Sequence, residues 1–287
     1  MPLLHAIVLG IVQGLSEFLP ISSSGHLLLV PWLFGWHDFA NADIEKTFDV
    51  ALHLGTLIAV LAYFRADIVT LVRAGLTPKR APVLVTSGTL AADNPTPDTE
   101  RRLAWLLLLS AVPGAITGAL LESTIEDHLG QFWLIGVMLI LFGLILYWAD
   151  TLGGERKVTD FRLRDALWMG AGQALALQPG VSRSGVTMTV GRMLKLDRDA
   201  SARISFLMGI PIIGGAVVFK LGKQLARGFP SGMAAPFFWG TAASAISGYI
   251  AVWGLLKLIR SRGFTPFVIY RVLAGLAVLT IFLSGIR

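Results

Sequence analysis

Two segments lying 160 residues apart share one unusual pattern, an apolar run broken by proline and followed by a cluster of hydroxyls and glycine. Residues 13–26 read QGLSEFLPISSSGH and residues 173–187 read QALALQPGVSRSGVT. Gly10 and Gly170, Gln13 and Gln173, Leu15 and Leu175, Ser22 and Ser182, Ser24 and Ser184, and Gly25 and Gly185 coincide at the same offset. The apolar stretches containing them, 3–30 and 165–194, are each cut into halves of roughly 15 residues, or about 22 Å of helix. A bilayer core of about 30 Å is too thick for either half. The pattern predicts two re-entrant helical hairpins, one in each half of the chain, whose broken ends bring polar groups together at membrane depth.

The rest of the chain fits a membrane. It is 54% apolar and 15% charged, with a mean hydropathy of +0.69. Soluble domains carry about 25% charged residues. Six further runs are long enough, or nearly so, to span: 50–64 (extended by 46–49), 103–121, 131–149, 204–222, 237–256 and 267–286. The expected fold is an all-α polytopic membrane protein with about six transmembrane helices, two re-entrant hairpins and an inverted-topology repeat. Residues 1–149 form the first repeat, 150–164 a cytoplasmic linker around Gly153-Gly154, and 165–287 the second repeat. The segment 76–102, rich in proline and polar residues, reads as a mobile cytoplasmic connection.

Charge orients this map. The loops 65–102, 150–164, 192–203 and 257–262 hold 17 of the 24 lysines and arginines, and those on the other side hold 5. The positive-inside rule puts the first set in the cytoplasm. Both termini then lie outside, and the two hairpins enter from opposite faces. The net charge of +6 is thereby explained by loop charge and is no nucleic-acid signal. The chain has no cysteine, which excludes disulfides, thiolate-bound metals and thiol catalysis. The N-terminus opens on an apolar segment without a basic leader, so no cleavable signal peptide is expected.

Ionisable groups within apolar segments are costly and mark functional sites. Gln13 and Glu17 are four residues apart and share a helix face. Glu17 can bind a divalent cation, with Gln13 adding a carbonyl oxygen; Mg²⁺ and Ca²⁺ favour such ligands and share them with phosphates. A Glu17 reaching to the membrane interface is the plainer alternative. Pro20 stops the first helix, and Ser22, Ser23 and Ser24 are favoured starts for the next. Its free N–H groups suit phosphate. Ser182, Ser184 and Thr187 repeat the device beside Arg183, whose guanidinium matches phosphate bidentately. Helix capping alone is their bland use, and an ion pair with Glu17 is the bland use of Arg183. His26 follows Ser23 by three residues and is a candidate base or nucleophile. His5, His37, His53 and His128 lack comparable surroundings and receive no role.

These residues resemble the bacterial undecaprenyl-diphosphate phosphatase family, also known for bacitracin resistance. The Glu/Gln-xxx-Glu element is read at Gln13 to Glu17, the Phe-Leu-Pro-x-Ser-Ser-x-Gly-His element at Phe18 to His26, and Pro-Gly-x-Ser-Arg-Ser-x-x-Thr at Pro179 to Thr187. The resemblance covers nearly the whole chain. It departs at Gln13, where many members have glutamate. It implies a multi-pass enzyme of the bacterial plasma (inner) membrane that removes the terminal phosphate of undecaprenyl diphosphate to recycle the lipid carrier of peptidoglycan synthesis. It also implies dependence on Mg²⁺ or Ca²⁺ and a site facing the periplasmic side.

The expected catalytic set is Ser23, His26, Glu17 and Arg183. Ser22, Ser24, Ser182, Ser184, Thr187 and Gln173 are expected to hold substrate, and Glu17 and Gln13 the metal. The attacking group stays open between Ser23, His26 and water, with Ser23 preferred. A polyprenyl-phosphate carrier built on the same inverted repeat is the competing function. The lipid bilayer is the setting in either case, and a second copy of the chain is a candidate partner.

Overall fold

In the computed structural model, residues 1–39, 41–76, 96–227 and 232–287 are described. Eleven α-helices run through them: α1 Leu3–Phe18, α2 Ser23–Phe34, α3 Ala42–Tyr63, α4 Arg65–Leu76, α5 Pro97–His128, α6 Phe132–Thr151, α7 Leu163–Leu175, α8 Arg183–Met193, α9 Arg198–Arg227, α10 Ala234–Arg262 and α11 Thr265–Leu283. Beside them are a short 3₁₀ turn at Val158–Asp160 and a single β-bridge between Arg156 and Leu196. The chain is an all-α polytopic membrane protein.

Five helices (α5, α6, α9, α10 and α11) are long and apolar enough to cross a bilayer. The sixth expected span differs from its sequence reading. Helix α3 begins at Ala42, and its first two turns carry Asp43, Glu45, Lys46 and Asp49. It qualifies as a span only together with α4, from which it is bent by 82°. The connection expected at 65–102 is therefore partly helical, because α4 occupies 65–76 and α5 starts at Pro97. Residues 77–95, where most of the expected mobile loop falls, lie outside the described residues.

Both expected hairpins are present as short helix pairs. Helices α1 and α2 have 16 and 12 residues, and α7 and α8 have 13 and 11. At 1.5 Å per residue all four are shorter than a bilayer core, at roughly 16–24 Å. The turns between them are 19–22 and 176–182.

Packing recurs between the halves. Helix α1 lies on α10 and α7 on α5, α10 on α3 and α5 on α9, while α3 meets α9 and α6 meets α11. Lipid tails are as apolar as leucine, so helices in a membrane associate through close approach of small residues. A Cβ at Gly10 would come within 2.3 Å of the Gly240 carbonyl oxygen, and one at Gly170 within 2.6 Å of the Ser110 carbonyl oxygen. The Gly10/Gly170 match in the sequence is thus one backbone contact made twice. Outward faces carry Trp105, Leu108, Leu144, Trp148, Ile246 and Leu273 among their exposed apolar residues.

The 150–164 segment is held by ion pairs. Asp150 accepts hydrogen bonds from Arg198 Nε at 2.8 Å and Nη2 at 2.9 Å, and from Arg192 Nε at 3.2 Å. Arg156 donates to both carboxylate oxygens of Asp165 and to the Leu194 carbonyl at 2.7 Å. Lys157 pairs with Asp197 at 2.6 Å. Much of the basic charge counted in these loops is locked against carboxylates there.

Candidate active site

The two proline-broken turns meet. Ser22 Oγ accepts the Gly180 N–H at 3.0 Å, and Ser184 Oγ donates to the Leu19 carbonyl at 3.0 Å, so each turn binds the other. Ser22 and Ser182 have φ of 77° and 76°, a left-handed conformation that is rare outside glycine and strained in place. Each is the N-cap of its helix and accepts the N–H three residues on, Gly25 at 3.4 Å and Gly185 at 3.0 Å. The strained caps aim the first turns of α2 and α8 at one place.

Between them lies a cavity of about 240 Å³ lined by Glu17, Ser23, Ser24, Val50, His53, Ser182 and Arg183, with Ile212, Ile213, Ala216 and Val217 of α9 along one wall. Glu17 is its hub. Its Oε1 accepts from Arg183 Nη2 at 3.0 Å. Its Oε2 accepts from Ser23 Oγ at 2.6 Å and from Gln13 Nε2 at 3.0 Å, and lies 3.5 Å from His53 Nε2. Arg183 reaches across the two halves and also donates through Nη1 to the Ser205 carbonyl at 2.9 Å. Its buried Nε has no partner. A hydroxyl bonded to a carboxylate and facing a guanidinium, at two helix N-termini, can bind an anion and attack it.

A sequence model of the bacitracin resistance protein BacA family matches residues 6–277. The chain belongs to the BacA family. Proteins named undecaprenyl-diphosphatase are similar along its whole length. One from Pelobacter propionicus is 46% identical over 100% of this chain and 99% of its own. One from Geobacter sulfurreducens is 46% identical over 97% and 98%, and one from Hahella chejuensis 44% over 96% and 97%.

Within this BacA-family fold the expected residues divide by position. Glu17, Ser23, Ser24, Ser182 and Arg183 face the cavity, and Gln13 touches Glu17 from behind. Ser22 and Ser184 are spent on the turns. Thr187 is buried, donating to the Arg183 carbonyl at 2.7 Å and sharing a 2.7 Å bond with Ser205 Oγ, so it supports α8 from its core side. Gln173 is buried with neither amide atom partnered. Its repeat mate Gln13 has Glu17 one turn on, whereas Gln173 has Leu177. His26 is turned away from the cavity lining: Nδ1 donates to the Ser22 carbonyl at 2.6 Å, and Nε2 meets Tyr270 Oη at 2.7 Å. A carbonyl only accepts, so Nδ1 carries the proton and Nε2 accepts from Tyr270.

Two residues without an expected role stand at the centre. One is His53. The other is Arg271, fully buried, whose Nε donates to Leu139 O at 3.0 Å, Nη1 to Pro20 O at 3.0 Å and Val181 O at 3.1 Å, and Nη2 to Met138 O at 3.2 Å and Gly180 O at 2.8 Å. All five guanidinium protons bind backbone carbonyls, three of them in the two turns. The rule that ionisable groups in apolar helices are functional applies to both residues, and it was the signal in the sequence that could have found them.

Proposed function

We propose that this chain hydrolyses undecaprenyl diphosphate to undecaprenyl phosphate and inorganic phosphate in the bacterial inner membrane. The observation that carries the proposal is the convergence of Ser23, Glu17 and Arg183 in one cavity between the hairpin turns. The names of its full-length relatives agree with it. The charge bias of the loops supports a site open to the periplasmic side.

Ser23 is the nucleophile in this reading. Its proton already points at Glu17, which makes Glu17 the general base and leaves His26 to position the α2 turn through Ser22. Ser23 Oγ attacks the terminal phosphorus, its proton passes to Glu17, and the bond to the bridging oxygen breaks, with undecaprenyl phosphate leaving. Water then attacks the phosphoserine phosphorus, the Oγ–P bond breaks, Oγ regains its proton and inorganic phosphate leaves. Arg183 and the N–H groups at the starts of α2 and α8 neutralise the equatorial oxygens, which is where most catalysis of phosphoryl transfer lies. The polyisoprenoid tail stays in lipid beside the apolar α9 wall.

A divalent cation of the Mg²⁺ or Ca²⁺ kind fits this donor set. Glu17 would hold it with Gln13, whose buried Oε1 has no partner. Substrate phosphates complete such sites. When bound, the ion supplies further neutralisation of the diphosphate.

The test is phosphate release from lipid diphosphate by purified protein in detergent. Wild type is expected to release phosphate, and S23A to yield neither turnover nor a trapped phosphoenzyme. A trapped adduct elsewhere would reassign the nucleophile. Transfer of polyprenyl phosphate between leaflets without any phosphate release would make the chain a carrier, a use that leaves the Ser23–Glu17 bond without work.

A further inference from the structure

His53 has the surroundings of a metal ligand. Its Nδ1 bonds to the Asp49 carbonyl at 2.8 Å. A carbonyl only accepts, so Nδ1 holds a proton, and Nε2 is the ring nitrogen turned to the cavity. That nitrogen faces Glu17 Oε2 at 3.5 Å, and both side chains line the cavity. The separation is too long for a charge-assisted hydrogen bond, which runs about 2.7–2.9 Å. It suits two atoms sharing an ion: ligands each about 2.1 Å from a metal stand about 3.0 Å apart at a right angle and about 3.4 Å apart at a tetrahedral one. A backbone carbonyl on the far ring nitrogen is the usual outer partner of a metal-bound histidine. Gln13, whose Nε2 donates to the same carboxylate oxygen at 3.0 Å, keeps a buried Oε1 without a partner.

We propose that His53 binds, through Nε2, the divalent cation held by Glu17 and Gln13, adding an imidazole nitrogen to their oxygen ligands. The proposal rests on the cation-assisted hydrolase reading above. Mg²⁺ and Ca²⁺ are held by oxygen ligands, whereas imidazole adds affinity for first-row transition metals. Among the described residues no cluster of three or more His, Cys, Asp or Glu occurs. The protein therefore offers one carboxylate, one imidazole and one amide oxygen, which leaves coordination positions for phosphate.

The experiment titrates the full-length protein in detergent with Mn²⁺ alone. Free ion is followed by electron paramagnetic resonance, and the bound ion is examined for nitrogen hyperfine coupling. Wild type is expected to bind about one ion with nitrogen coupling. H53Q, monodisperse and with an unchanged unfolding midpoint, should lose the coupling and bind Mn²⁺ about ten-fold or more weakly; H53A serves if the glutamine variant does not accumulate. A bound ion without nitrogen coupling, or equal affinity in the variant, overturns the proposal and leaves the Glu17 site standing. Absence of saturable binding by wild type also overturns it, and phosphate release measured in chelator then decides separately whether the hydrolase reading survives.

Discussion

Replacing Arg271 by lysine tests whether one guanidinium holds the two turns together. The charge is kept and only donor number and geometry change. Arg271 makes five hydrogen bonds to five carbonyls and is 0% exposed. A lysine has three protons, so at least two of those carbonyls lose this donor. At about 1–3 kcal/mol for each buried polar group left unpaired, the loss is about 2–6 kcal/mol. The turn carbonyls of Pro20, Gly180 and Val181 are the more vulnerable, because those of Met138 and Leu139 sit within α6 and have helical donors available. The damage should then fall on the junction that sets the Glu17–Arg183 distance. Unfolding in mixed micelles should show the destabilisation, and phosphate release at saturating lipid should fall with it at temperatures where R271K is still folded. R271K with wild-type stability and turnover would refute the reasoning, since it would mean that the five contacts hold nothing in place.

Other expectations follow from the same geometry. E17Q keeps the size of the side chain and removes the base; turnover should fall about 10²–10⁴-fold, measured as phosphate release, with the protein still inserting. R183K retains one charge but not the fork that reaches both Glu17 and the Ser205 carbonyl, so its loss should appear in turnover of lipid diphosphate and approach that of R183A. G10V places a branched side chain where even a Cβ comes within 2.3 Å of the Gly240 carbonyl; it should prevent α1 from seating on α10 and lower the yield of folded protein, while Gly254, with open space around its Cβ position, should accept alanine without loss of yield.

What the sequence made legible was whatever depends on local chemistry. Pro20 and Pro179-Gly180 announce the breaks, and the serines after them announce helix starts, because capping is decided within four residues. Gln13 and Glu17 share a face because helical period alone decides it. Arg271 and His53 escaped because their partners are far along the chain: Arg271 binds Pro20, Met138 and Gly180, and His53 meets Glu17 across the α1–α3 contact. His26 shows both kinds of neighbour: its ring bonds to the Ser22 carbonyl four residues back and packs on the distant Tyr270 at 5.6 Å between centroids. The apolar run understates helix α3 because the helix starts at Ala42 on charged turns. Those turns carry Asn41 as N-cap, accepting the Ile44 N–H at 2.9 Å, with acidic residues at a helix N-terminus where the dipole favours them.

The repeat explains why this fold has one reactive centre and not two. A duplicated hairpin would place matching groups on both turns, and several positions do match: Ser22 with Ser182, Ser24 with Ser184 and Gly25 with Gly185. Ser22 and Ser182 do the same structural work on both sides, each capping its helix. The chemistry sits where the match fails. Glu17 faces Leu177 in the repeat and Ser23 faces Arg183. One turn therefore brings the carboxylate and the hydroxyl, and the other brings the cation and withholds a second carboxylate that would repel a diphosphate. Had both halves kept glutamate, two buried like charges would compete for one guanidinium; had both kept arginine, the hydroxyl beside Glu17 would be gone. Divergence at two positions turns a symmetric anion cradle into a site with a base, a nucleophile and a charge sink, each in a single copy.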